Sequence, residues 1–394
     1  MNTITSPAQT NLPAEEELDW LALRMTPGLG ARQFGRLIER FRTPRGVLRA
    51  TAKDLEACGL AGGLARSITS GCGYDEAVEQ QRACRREGVF VIPMTDPRYP
   101  DLLGEIYDPP PVLFARGRTE LLREDAVSMV GTRRPTAYGT AVAERISADL
   151  AAAGLVIVSG MARGIDTAAH QGALQARGAT IAVLGCGVDV VYPTENRKLA
   201  DRIAREGLLV SEFPMGTPGY PQNFPVRNRI VSGLSLGVIV VEGAQYSGSG
   251  ITARLAMEQA REVFAVPGNI TSRASWGPNL LIKQGARLIQ EWNDVIEHLP
   301  AEVRRRLAER CRTRLDEENG QPSLPMEGPP AETPQGELAR WVLERLPFDQ
   351  PRHLDDLLET LDFGSPSELV ATLFELEMMG LVRQMPGKNF IKVW

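Results

Sequence analysis

The feature that most constrains this chain is a pairing repeated between residues 88 and 300. A short run of Val, Ile and Leu closes on a small or turn-forming residue, and a stretch of helical length usually follows. The runs are "GVFVIP", "PVLFA", "AVSMVG", "LVIVSG", "TIAVLG", "LLVSE", "GVIVVE" and "VFAVPG". They lack polar alternation, so both faces of each strand are to be buried. Strand–helix alternation then places them in a parallel sheet with helices on both sides. The expected fold class is α/β, an extended Rossmann-like doubly wound sheet over 88–300.

The flanks read differently. Residues 15–87 are helical in pattern: "LDWLALRMTPGLGARQFGRLIERFRT" sets apolar residues at helical spacing around "PGLG", and a second small-residue turn, "CGLAGG", follows. Helix, Gly-rich hairpin and helix look like a SAM or helix-hairpin-helix module. From Trp20 to Lys53 eight bases stand against the single acid Glu39, a balance of +7 that points to a polyanion. Residues 301–336 are expected to be a linker, because 315–337 is rich in Pro, Gly and Glu. Residues 337–394 read helix, helix, helix, hairpin, the order of a winged helix, with Ser365 capping a helix that has Pro366 in its first turn. From Pro330 to Trp394 eleven acids outnumber six bases, so that unit suits protein contact better than the major groove.

Composition excludes several classes. Five scattered cysteines without a CxxC pair and three dispersed histidines argue against a disulfide framework or metal site. No apolar run has the length of a membrane helix and no secretory leader is visible, so a cytoplasmic protein without membrane contact is expected. GxxxxGK[ST] is missing, and "GSGITA" matches a dinucleotide fingerprint only weakly and late in the sheet. No cofactor and no catalytic set is legible. Asp166 and His170, four apart on one helix face, read as a structural pair.

In an open parallel sheet, ligands bind beyond the carboxyl ends of the strands. Those ends here deliver "GTRRPTAYG", "SGMARGIDTAAH", "GCGVDVVYPTENR", "SEFPMGTPGYPQNFPVRNR" and "EGAQYSGSGITA". Consecutive Gly/Ser/Thr turns that open helices offer a row of backbone N–H groups, suited to a ligand with several phosphates in line. Arg133, Arg134, Arg163, Arg197, Arg227 and Arg229 lie in or beside the turns, with Tyr192 and Phe224 available for stacking. Basic groups interleaved with aromatics along a groove are the pattern of single-strand binding.

Six ordered segments, "VGTRRPTAYG", "SGMARGIDTAAHQGAL", "GCGVDVVYPTEN", "FPVRNRIVSGLS", "VVEGAQYSGSGITARLAMEQAREVFAVPG" and "GPNLLIKQGA", resemble the DNA-processing protein DprA/Smf family. The resemblance implies a protein without catalytic turnover. It binds incoming single-stranded DNA in natural transformation, loads RecA recombinase onto it, displaces single-strand-binding protein and works as a homodimer. Carried over, the phosphate-gripping turns fall on Gly131, Thr132 and Arg133, on Ser159 and Gly160, and on Ser247, Gly248 and Ser249. The F-P-x-R-N-R motif falls on Phe224, Pro225, Arg227, Asn228 and Arg229, and Lys198 is the one lysine counterpart near the groove. The alternative is a nucleoside-monophosphate phosphoribohydrolase of the lysine-decarboxylase-like group. Its turn carries a following glutamate, and "SGSGIT" lacks one.

Overall fold

A computed structural model describes residues 12–245, 247–319, 334–346, 352–361, 365–378, 381–385 and 389–392. Two compact units result, Met1–Cys311 and Arg312–Trp394.

All eight apolar runs form strands of one sheet: β1 Phe90–Pro93, β2 Val112–Gly117, β3 Ala126–Val130, β4 Val156–Ser159, β5 Thr180–Val183, β6 Leu208–Ser211, β7 Gly237–Val240 and β8 Glu262–Ala265. A ninth, β9 Arg287–Leu288, completes it. The order is β1-β2-β6-β5-β4-β3-β7-β8-β9. From β6 to β9 every neighbour is parallel, with the doubly wound reversal between β3 and β7. At the other edge β1 pairs antiparallel with β2, and β2 with β6, so the sheet is mixed rather than wholly parallel.

Alternate residues of each strand face opposite layers. Val130, Val158, Val183, Val210 and Val240 share one core with Ile230 and Val231 of the helix Asn223–Gly233 and Ala253 and Ala256 of Gly248–Glu258. The opposite face divides. Met129, Ile157, Ile239 and Phe264 pack with residues of the helices Ala137–Ala152 and Ile165–Gln175. Phe114, Ala182 and Leu209 pack with Trp20, Phe34 and Leu37 of the N-terminal helices. The helical block of residues 14–87 thus covers half of one sheet face.

The helix Ala301–Asn319 occupies the first half of the expected linker. It is anchored by buried Val303 and Leu307 and by Arg306, whose guanidinium makes two hydrogen bonds to Asp125 at 2.7 and 3.0 Å. Composition hid this helix, because its apolar residues are few and the acidic stretch beyond it dominates. The remainder, 320–333, lies outside the described residues.

In the second unit the helices Pro334–Arg345, Leu354–Glu359 and Pro366–Met378 precede strands β11 Val382–Met385 and β12 Asn389–Lys392, with β10 Arg352–His353 added to β12. Ser365 and Glu368 form a reciprocal cap: the Glu368 amide donates to Ser365 Oγ at 3.2 Å and the Ser365 amide to Glu368 Oε2 at 2.7 Å. The "PGK" turn lies outside the described residues. Among the described residues no helix is long and apolar enough to cross a membrane.

The helices Ala137–Ala152 and Ile165–Gln175 approach closely at Gly172, where an added Cβ would stand 2.2 Å from the Glu144 carbonyl oxygen. Backbone cannot yield as a side chain does. Gly172→Ala is expected to lower stability by about 1–3 kcal/mol, read as a fall in the urea midpoint.

Candidate nucleic-acid interface

The strand order reverses between β3 and β7, and there the carboxyl ends open a groove of about 470 Å³. Gly131, Thr132 and Arg133 line it after β3, Gly160 and Ala162 after β4, and Tyr192 after β5. Phe224, Pro225, Arg227 and Asn228 come from the helix after β6, and Ser247, Gly248 and Ser249 from the turn after β7. Five strand ends therefore meet at one trough, as the sequence spacing implies.

Its wall carries an aromatic pair. Tyr192 and Phe224 have ring centroids 5.1 Å apart, and the Arg133 guanidinium lies 5.7 Å from the Phe224 centroid. Tyr192 is 45% exposed. The backbone beneath is cleared for the rings. A Cβ on Gly185 would stand 2.8 Å from Phe224, and one on Gly219 would stand 3.0 Å from Tyr192. An open ring face beside a cation is a stacking platform for a base.

The turn amides correct the sequence reading, because the chain itself uses many of them. The carboxylate of buried Asp166 accepts from the Gly160 amide at 3.1 Å and the Ala162 amide at 3.3 Å. The Thr132 amide donates to the Glu242 carbonyl at 2.7 Å, and the Thr136 amide to the Glu242 carboxylate at 2.9 Å. Gly250 donates to Ser247 Oγ at 3.4 Å. Ser159 is wholly buried, its hydroxyl donating to the Met129 carbonyl at 2.6 Å, so its side chain does not reach a ligand. These turns are shaped from inside, by groups of the chain itself.

The two arginines of "FPVRNR" part company. Arg227 is buried beneath the groove. Its Nη1 donates to the Gly160 carbonyl at 2.5 Å and to that of Val183. Gly160 must be glycine there, since a Cβ would stand 2.3 Å from Arg227 Nη1. Burial pulls the guanidinium pKa below its ordinary value, and nearby Asp166 opposes the fall. Arg229 does not line the groove. It makes a two-pronged ion pair with buried Glu212 at 2.7 and 2.8 Å and reaches Asp108 at 3.0 Å. Its expected phosphate role is therefore corrected to a structural one. Residues two apart on a helix point some 200° apart, and here Arg227 turns under the groove while Arg229 turns toward Glu212.

Of the other expected cations, Arg163 pairs with Glu195 beside Tyr192. Arg134 and Lys198 are exposed but lie outside the lining. Asp166 and His170 are not bonded to each other. Thr180 Oγ1 donates to the Ile157 carbonyl at 2.6 Å and so receives the His170 Nδ1 proton, across 2.7 Å. Burial pushes the His170 pKa down to about 3, which keeps the ring neutral. Burial raises the Asp166 pKa, against the pull of Arg227 and the two amides. Asp166 is the one carboxylate in the lining. Sequence reasoning missed Glu242, which also accepts from Thr136 Oγ1 at 2.6 Å, and Asn223, whose amide donates to the Gly185 carbonyl at 3.1 Å beneath Phe224. Asn196 precedes the helix Arg197–Glu206, and its side-chain amide donates to the Met161 carbonyl at 3.0 Å and to Thr167 Oγ1 at 2.9 Å.

Comparison with known proteins identifies the lineage of this groove. The family model "DNA recombination-mediator protein A" matches residues 90–300, and "DprA winged helix domain" matches 326–388. The chain belongs to the DprA/Smf family. Protein Smf of Synechocystis is 34% identical over 95% of this chain and 98% of its own length. DNA processing protein DprA of Bacillus subtilis is 48% identical over 55% of this chain and 74% of its own. The X-ray structure of DprA from Streptococcus pneumoniae superposes with a TM-score of 0.62 at 35% identity, covering 74% of this chain and 99% of that one.

Removing the Arg229 guanidinium leaves Glu212 buried without its partner, a change expected to cost about 3–5 kcal/mol. Urea unfolding of Arg229→Ala measures that loss. If the groove binds nucleic acid, the folded fraction is expected to keep the parent salt dependence of that binding. Parent stability with a flatter salt slope would return Arg229 to the groove.

Proposed function

We propose that this chain binds single-stranded DNA along the groove, without turnover, and delivers it to a RecA-type recombinase in place of single-strand-binding protein. In this reading it acts as a homodimer and serves natural transformation. The observation that carries the binding step is the Tyr192–Phe224 platform with Arg133 over Phe224, at the rim where the strand order reverses between β3 and β7. A stacked ring takes any base, and a guanidinium holds phosphate by charge alone, so binding is sequence-tolerant. The hydroxyls of Ser247 and Ser249, 2.7 Å apart, add neutral hydrogen-bonding groups on the far wall. The step to a recombinase draws on the family, whose model is that of a recombination mediator.

A hydrolase on the same sheet needs a carboxylate free to act on substrate. Asp166, the carboxylate of the lining, is committed to two turn amides. Incubation with AMP is accordingly expected to release no adenine.

Equilibrium binding of labelled oligo-dT across a salt series tests the reading. Phe224→Ala is expected to weaken binding by about 1–3 kcal/mol through lost stacking. Arg133→Ala is expected to reduce the log–log salt slope by about 0.7, the share of one phosphate on a single strand. Parent affinity and slope in both variants, or equal affinity for duplex of the same length, would refute it.

A further inference from the structure

The groove has an outlet. Pro225 lines both the groove and a neighbouring hollow of about 600 Å³ bounded by Val226, Tyr107, Asp108 and Arg261. Val226 is 48% exposed and Tyr107 is 74% exposed, high for an aromatic ring. Arg32 of the helix Ala31–Phe41 lies over Tyr107, its guanidinium 4.1 Å from the ring centroid. Arg32, Arg36 and Arg40 follow at intervals of one turn, a stripe of about 12 Å at 1.5 Å per residue. All three are exposed, and among the described residues none is ion-paired. Phe34, Leu37 and Ile38 bury the opposite face of that helix.

Charge also favours this direction. Glu39 stands between Arg36 and Arg40, and Asp54 is near enough to Arg40 to feel its charge, so three cations meet two anions along the stripe. Two of the three acids bounding the hollow have cationic neighbours: Asp108 meets Arg229 at 3.0 Å, and Glu105 lies 3.9 Å from Arg261. The third, Glu258, is exposed. Two other cations of the N-terminal block are diverted. Arg45 pairs with Glu15 and Asp19, and Arg24 donates to the Glu212 carbonyl. Three of the eight bases of this part of the sequence stand in the stripe, and Arg42, Arg49 and Lys53 are exposed elsewhere on the block.

We infer that the N-terminal helical block carries a second single-strand subsite, in which a strand leaving the groove crosses Pro225 and Val226, stacks one base on Tyr107 and lays its phosphates along Arg32, Arg36 and Arg40. This rests on the groove reading proposed above and extends it from a short site to a long one. An exposed ring with a guanidinium behind it, continued by a row of cations, repeats the arrangement at Phe224 and Arg133.

The full-length chain is titrated with labelled dT of about six and about twenty nucleotides, and with a twenty-base-pair duplex, across a salt series. Arg32→Ala/Arg36→Ala/Arg40→Ala is expected to bind the short oligomer as the parent does. With the long one its log–log slope should fall by about two, three phosphates at roughly 0.7 each. Tyr107→Ala is expected to lose at least about fivefold on the long oligomer alone, and Tyr107→Phe to restore it. All four side chains are exposed, so unchanged thermal midpoints are expected to accompany these effects. Parent behaviour on the long oligomer, or a loss confined to duplex, overturns the inference. Loss at the short oligomer in Phe224→Ala but not in the stripe variants separates the two sites. If Phe224→Ala binds normally while the stripe variants lose the long oligomer, the groove reading fails and the path proposed here fails with it.

Discussion

Everything at the groove depends on how buried carboxylates fasten the turns at the strand ends. A parallel sheet ends each strand on the same rim, and every turn into a helix leaves amides to be satisfied. Asp166 takes two from the loop after β4, and Glu242 reaches across the strand reversal to take the Thr136 amide and hydroxyl. The turns become rigid without a ligand, and their glycines pack against these anchors: a Cβ on Gly139 would stand 2.4 Å from the Glu242 carboxylate. Fastening the turns that carry Arg133 and line the groove after β3 and β4 leaves less ordering for binding to accomplish. Recognition then falls to stacking and charge, which suits a partner of any sequence.

The sheet also explains why a helical block precedes it. One sheet face is split between two cores, and the half near β1, β2, β5 and β6 is closed by Trp20, Phe34 and Leu37. The same helices turn their polar side outward beside Tyr107. Structural cover and an extended basic surface are two faces of one amphipathic helix, Ala31–Phe41.

Much of this was legible in the sequence. Continuous Val/Ile runs mark the eight longer strands, and the strand-end turns mark the rim. β9 was not legible, because its two residues are exposed and carry no apolar run. Nor was the antiparallel edge, since β1 and β2 have the same apolar character as their parallel neighbours. The occupant of the turn amides was half legible. Asp166 lies six residues beyond Gly160, near enough to be read as a local acceptor, whereas Glu242 stands 106 residues from Thr136 and only the fold unites them. The split between Arg227 and Arg229 was open to reading from helical period alone.

Ultraviolet cross-linking of a short oligo-dT to the full chain, followed by peptide mapping, puts the central claim to the most direct test. Adducts on Tyr192 and Phe224, reduced by competing single strands and by salt, are the expected result. Adducts found only on other segments, with both rings unmodified at saturating oligonucleotide, would contradict the account.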